Sequence, residues 1–153
     1  MITFDVRTDS PEDTLALGRR LASLVRVADV VLLTGRLGTG KTLFTSGLAE
    51  GLGISGPVTS PSFIIARTYR DGFLPLTHAD VYRLGSRAEF DDLELIDLAH
   101  DGVLVIEWGE AVAQAIPEDH LSVHIEMDGP DSRIFRFESS GSWDSRPLHE
   151  VAT

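Results

Sequence analysis

The chain has 153 residues, 42% of them hydrophobic and 24% charged, with a formal net charge of −11 and no cysteine. This length suits one domain around a single core, no apolar run approaches the roughly 20 residues of a membrane-spanning helix, and no disulfide framework is available. The excess of acid excludes a general binder of phosphate backbones unless the arginines share one face. The acidic start MITFDVRTDSPED lacks the basic and apolar regions of a secretory signal, so a cytoplasmic location is expected.

Ile2, Phe4 and Val6 alternate as in a half-buried strand. Ser10, Pro11 and Asp13 read as the N-cap, first and third positions of a helix with Leu17, Leu21, Leu24 and Val25 on one face. Asp29 to Thr34, DVVLLT, is a near-continuous apolar run ending at Gly35, the pattern of a strand buried on both faces. A helix opening near Lys41 places Phe44, Leu48 and Leu52 at helical spacing and stops in the glycines of EGLGISG. FIIARTYR and PLTHADVY, separated by a DG turn, read as an antiparallel pair. Ser86 and Glu89 have capping-box spacing and open one acidic helical segment, SRAEFDDLELIDLAH, stopped at Asp101 and Gly102. VLVIEW, from Val103 to Trp108, is a second short apolar run of central-strand type. LSVHIEM alternates Leu121, Val123, Ile125 and Met127, and RIFRF follows a DGPDS turn. Residues 139–153 show no periodicity, which predicts a loosely ordered polar tail after a single domain over 1–138.

Gly35, Gly40, Lys41 and Thr42 satisfy G-x-x-x-x-G-K-[ST] between a buried strand and a helix start. Lys41 is the one lysine among thirteen basic residues. The loop explains that choice. Glycines let backbone N–H groups turn toward phosphate oxygens, the helix N-terminus adds partial positive charge, and a compact ammonium on a flexible stem reaches between β- and γ-phosphates where a guanidinium is too bulky. The expected fold is α/β, a three-layer P-loop NTPase-like sandwich with a mostly parallel central sheet and antiparallel edge hairpins. Thr42 is placed to offer its hydroxyl to Mg²⁺, which prefers hard oxygen ligands. A carboxylate ending a neighbouring strand should join it, and Glu107, closing VLVIE, and Asp80, closing PLTHAD, both qualify.

GRLGTGKT, VTSPSF, HADVYRL, EFDDLELIDL and VLVIEWGE, in this order and spacing, closely resemble the bacterial TsaE (YjeE) family. The resemblance spans Gly35 to Glu110, and TSPSF, HADVYRL and IEW carry its specificity. It implies a small ATPase acting with TsaB and TsaD in the N6-threonylcarbamoyl modification of adenosine 37 in tRNAs that read ANN codons, with tRNA reached indirectly through the complex. It further implies that Leu37, Gly38, Thr39, Gly40, Lys41 and Thr42 cradle the phosphates of ATP and that Thr42 and Glu107 hold Mg²⁺. Asp80 acts at the metal or on the attacking water. Thr59, Ser60 and Ser62 form a switch-like loop, Trp108 packs beside the site, and Ser10 and Arg133 flank the adenine or ribose. The family pattern breaks at Arg36, where an aspartate is usual. That position contributes mainly backbone, so nucleotide binding should survive the change.

Three other functions compete. A metabolite kinase would need a lid arginine, and no lysine or arginine lies between Arg87 and Arg133. A GTPase would need an N-K-x-D motif, and the chain has no asparagine. A binding module that uses ATP to dock without essential turnover has the same sequence signature as the ATPase. The acids of Glu89 to Asp97 read either as a solvated helix face or as a docking surface for a basic partner.

Overall fold

The computed structural model describes residues 1–36, 38–61, 65–82, 84, 86–108 and 113–152. Seven strands form one sheet: β1 (Thr3–Thr8), β2 (Val30–Thr34), β3 (Ala66–Tyr69), β4 (Leu76–Asp80), β5 (Val103–Glu107), β6 (Leu121–Met127) and β7 (Arg133–Ser139), in the order β1-β7-β6-β2-β5-β4-β3. The four inner strands β6, β2, β5 and β4 run parallel, while β7 and β1 at one edge and β3 at the other are antiparallel to their neighbours. The hairpin read from LSVHIEM and RIFRF is present, and its first strand lies directly beside β2.

The continuous apolar run of β2 has a simple cause. Val31 and Leu33 face one core with α1 (Pro11–Leu21) and α2 (Lys41–Gly51), while Val30 and Leu32 face a second core with α3 (Arg87–Asp92) and α4 (Leu95–Leu98). Successive strand residues point to opposite faces, so a strand covered on both sides needs no polar position. β6 and β7 keep one wet face instead, and there His124, Arg136 and Glu138 alternate with buried Val123, Phe135 and Phe137.

Ser10 caps α1, its hydroxyl accepting from the Asp13 N–H, with Pro11 at the first turn. Leu24 and Val25 lie beyond the helix end and are still buried in the same core. α1 and α2 cross closely because two glycines meet there. A Cβ on Gly47 would lie 2.3 Å from the Leu15 carbonyl oxygen, and one on Gly18 would lie 2.4 Å from that of Phe44. This contact fixes the helix that carries the lysine.

Three expectations are corrected. The acidic segment forms two short helices rather than one, because Glu94 sits at φ 51 between α3 and α4. That turn lets Phe90 and Leu95, each 3% exposed, both reach the core while Glu89, Asp91, Asp92 and Asp97 stay in solvent. β3 is shorter than FIIARTYR because Ile65 adopts φ 68, and Phe63 and Ile64 lie outside the described residues. The tail after residue 138 is ordered, with 3-10 turns over Gly141–Ser145 and Leu148–Ala152. Trp143, Leu148 and Val151 enter the core, Arg20 Nε donates to the Val151 carbonyl at 2.6 Å, and the domain extends through residue 152. Single apolar residues three to five positions apart in a polar stretch give no regular period, which hides such anchors.

Candidate functional site

The site forms where β2, β4 and β5 end together beneath the first turn of α2. Gly35 leaves β2 at φ 137, and a Cβ there would lie 2.5 Å from the Ile125 carbonyl oxygen, so only glycine brings the loop this close to β6. Gly40, the N-cap of α2, has φ 105. Lys41 is 5% exposed, and its Nζ donates to the carbonyls of Gly35 at 2.6 Å and Arg36 at 3.0 Å. The same nitrogen lies 4.2 Å from the centroid of Trp108, whose ring is paired with Tyr82 at 4.7 Å. Arg36 contributes as expected through its backbone, its carbonyl also accepting from the Thr39 hydroxyl, while its side chain is exposed.

Parallel pairing of β4 with β5 places Asp80 beside Glu107. Glu107 is 4% exposed and its Oε2 accepts from the Thr42 hydroxyl at 3.0 Å and from His78 Nε2. Asp80 is 8% exposed and its Oδ1 accepts from the Tyr82 N–H at 2.9 Å, which fixes the carboxyl's orientation. Gly38, Lys41, Thr42, Ser60, Asp80, Glu107 and Trp108 border one cleft of about 310 Å³. A somewhat larger hollow of about 350 Å³ adjoins the loop on the β6 side, against Arg36, Thr39 and His124, but it holds neither carboxylate. The cleft is therefore the reactive candidate.

Among the described residues, no group of three or more His, Asp or Glu side chains is arranged to hold a metal by itself. The donors present are a hydroxyl and carboxylates at the mouth of a glycine loop that opens a helix. Such a set fits a hard cation that shares its coordination with phosphate and water, and it does not fit a metal held in an all-protein cage.

Ser10 and Arg133 come together with Thr39, Gly40 and Leu43 around a smaller hollow behind the loop. Both also have structural duties, Ser10 as the helix cap and Arg133 through its Nε–H bond to the Thr39 carbonyl at 2.9 Å. Thr59 N–H donates to the Tyr69 hydroxyl at 3.3 Å, and Ser60 borders the cleft. Leu37, Ser62, Arg83 and Glu110 lie outside the described residues. His78 and Tyr82 lie within HADVYRL, yet the motif assigns neither of them a role. For His78 the signal is its position, since a polar residue two before Asp80 in a buried strand must share its face.

The strand, loop and helix, with the mixed sheet around them, define a P-loop NTPase-like α/β sandwich. Residues 8–135 match the family described as threonylcarbamoyl adenosine biosynthesis protein TsaE, and the chain belongs to that family. It is 42% identical over 137 residues to the tRNA threonylcarbamoyladenosine biosynthesis protein TsaE of Bacillus subtilis, a match covering 89% of this chain and 85% of that protein. The protein of the same name from Streptomyces coelicolor is 51% identical over 114 residues, covering 72% and 76% respectively. The crystal structure of Bacillus subtilis YdiB aligns with TM-score 0.80 at 36% identity over 99% of this chain and 94% of that one. No helix among the described residues is long and apolar enough to cross a membrane.

Proposed function

We propose that this protein binds ATP with Mg²⁺ and hydrolyses it slowly, as the nucleotide-driven component of the machinery that makes N6-threonylcarbamoyladenosine at position 37 of tRNA, working with TsaB and TsaD in the cytoplasm. The observation that carries the reading is the convergence of Lys41, Thr42, Asp80 and Glu107 on one cleft at the N-terminus of α2. Lys41 and the N–H groups of the loop bind the β- and γ-phosphates. Thr42 and Glu107 hold the metal, with Asp80 beside them. When bound, the ion neutralises charge on the phosphate oxygens. Asp80, fixed by the Tyr82 N–H, orients the attacking water by accepting its hydrogen bond.

Phosphoryl transfer depends on positioning and charge stabilisation, which another protein often completes by ordering a loop or supplying an arginine. Arg36 points its side chain into solvent, so this chain's own loop supplies Lys41 as its cation. The TsaB–TsaD pair is the partner that completes the site, with tRNA reached through it. A net charge of −11 agrees with that indirect contact.

Calorimetry of ATP, ADP and GTP, with Mg²⁺ and with chelator, tests the reading. Adenine nucleotides should bind more tightly than GTP, and Lys41→Ala should lose roughly ten- to hundred-fold in affinity, the scale of a charge-assisted hydrogen bond. Equal affinity in both proteins would sink the proposal. Glu107→Ala should weaken the Mg²⁺ dependence of binding, whereas Asp80→Ala should spare binding and slow hydrolysis. The TsaB–TsaD pair should accelerate hydrolysis, and an Asp91, Asp92 and Glu94 to Ala variant reports whether the acidic helices take part.

A further inference from the structure

His78 lies on β4 two residues before Asp80 and is 0% exposed. Strand alternation puts both side chains on one face, and the parallel register pairs His78 with Val105 and Asp80 with Glu107. The imidazole therefore sits one pleat repeat beneath the two carboxylates. Its Nε2 bonds Glu107 Oε2, the same oxygen that accepts from the Thr42 hydroxyl at 3.0 Å. Its Nδ1 is buried and has no hydrogen-bond partner among the described residues. An N–H at Nδ1 would face no acceptor among them, so the ring proton belongs on Nε2, where the carboxylate receives it.

A buried ring with one nitrogen unsatisfied is destabilising compared with a leucine of similar size, and such a group calls for a reason. The bond it makes goes to the carboxylate that meets Thr42 at the cleft. We propose that His78 is a positioning residue for the Thr42 and Glu107 pair, its Nε2–H holding Glu107 so that the carboxylate stays directed at a divalent cation. The inference rests on the Mg²⁺–nucleotide reading above. Groups that orient a metal-binding carboxylate affect metal affinity without touching the ion.

Two substitutions of similar polarity separate positioning from general support of the fold. The amide nitrogen of His78→Gln falls near the place of Nε2, and that of His78→Asn near the place of Nδ1. ADP affinity is measured by calorimetry with Mg²⁺ and with chelator. The gain in affinity that Mg²⁺ brings should persist within about three-fold in His78→Gln and fall roughly ten-fold or more in His78→Asn, with metal-free ADP binding alike in all three proteins. Full retention of the gain in His78→Asn, or equal losses in both variants, overturns the proposal. Long-range ¹H–¹⁵N spectra of the unaltered protein read the tautomer directly. A protonated Nε2 is expected, and a proton on Nδ1 rejects the role even where neither variant folds. If the unaltered protein shows no Mg²⁺-dependent ADP binding, the nucleotide reading itself fails and the inference falls with it. A normal gain there, with equal losses in the two variants, removes His78 alone.

Discussion

Two regions of this molecule bury charge, and they do so in opposite ways. In the C-terminal segment, Arg146 is 5% exposed and its terminal nitrogens make four hydrogen bonds: two to the Asp29 carboxylate at 2.6 and 2.9 Å, one to the Leu24 carbonyl and one to the Ser142 hydroxyl. The guanidinium also lies 3.9 Å from the Trp143 ring centroid. A full positive charge meets a full negative one there, in bidentate geometry. At the ends of β4 and β5, Glu107 instead receives a hydroxyl and an imidazole, and both Glu107 and Asp80 border a cleft. Burial of charge by itself therefore does not mark a functional site. A charge matched by its opposite inside the fold holds elements together, whereas a carboxylate such as Glu107, held by a hydroxyl and an imidazole beside an open cleft, keeps capacity for a ligand.

The contrast can be broken most forcefully at Arg146. Arg146→Ala leaves the buried Asp29 carboxylate without its charged partner and with the Arg26 N–H as a remaining donor, which should destabilise the fold by about 3–5 kcal/mol and lower Tm by roughly 10 °C, while any protein that remains folded binds ADP as before. A large loss of nucleotide affinity in folded Arg146→Ala would show that the tail serves the site. Lys41→Ala is the mirror experiment. Beyond its loss of affinity, its Tm without nucleotide should move by no more than about 2 °C, because the ammonium bonds to loop carbonyls that water can also satisfy. A fall as large as that of Arg146→Ala would make the lysine a structural strut. A smaller loss of stability than at Arg146 is expected at Arg20, whose Nε ties α1 to the Val151 carbonyl. Arg20→Ala should cost about 1.5 kcal/mol and raise hydrogen exchange across 148–152, with hydrolysis unchanged.

Much of the cleft was readable because its parts are local. The loop spacing, the cap at Ser10 and the acid closing each strand are properties of near neighbours, and each is found where sequence puts it. The acidic segment reads as one helix because a single residue, Glu94, leaves helical geometry while its neighbours keep helix-forming composition. His78 stands in HADVYRL, but its role is not legible there because it is a contact with Glu107 across 29 residues.

Sequence alone locates most of the strands and the first two helices, shows that a glycine loop with one lysine opens α2, and shows that Asp80 and Glu107 end buried strands. These follow from periodicity, capping and side-chain chemistry over a few residues. Assembly of the whole fold is what sets β6 beside β2, brings Thr42 to Glu107 rather than Asp80, lays Trp108 over Lys41, and anchors the tail through Arg146 on Asp29, 117 residues earlier. Those choices depend on strand register and on which distant side chains fill the same space. A pattern of near neighbours cannot encode them, because each is settled by packing among elements that meet only when the whole sheet is assembled.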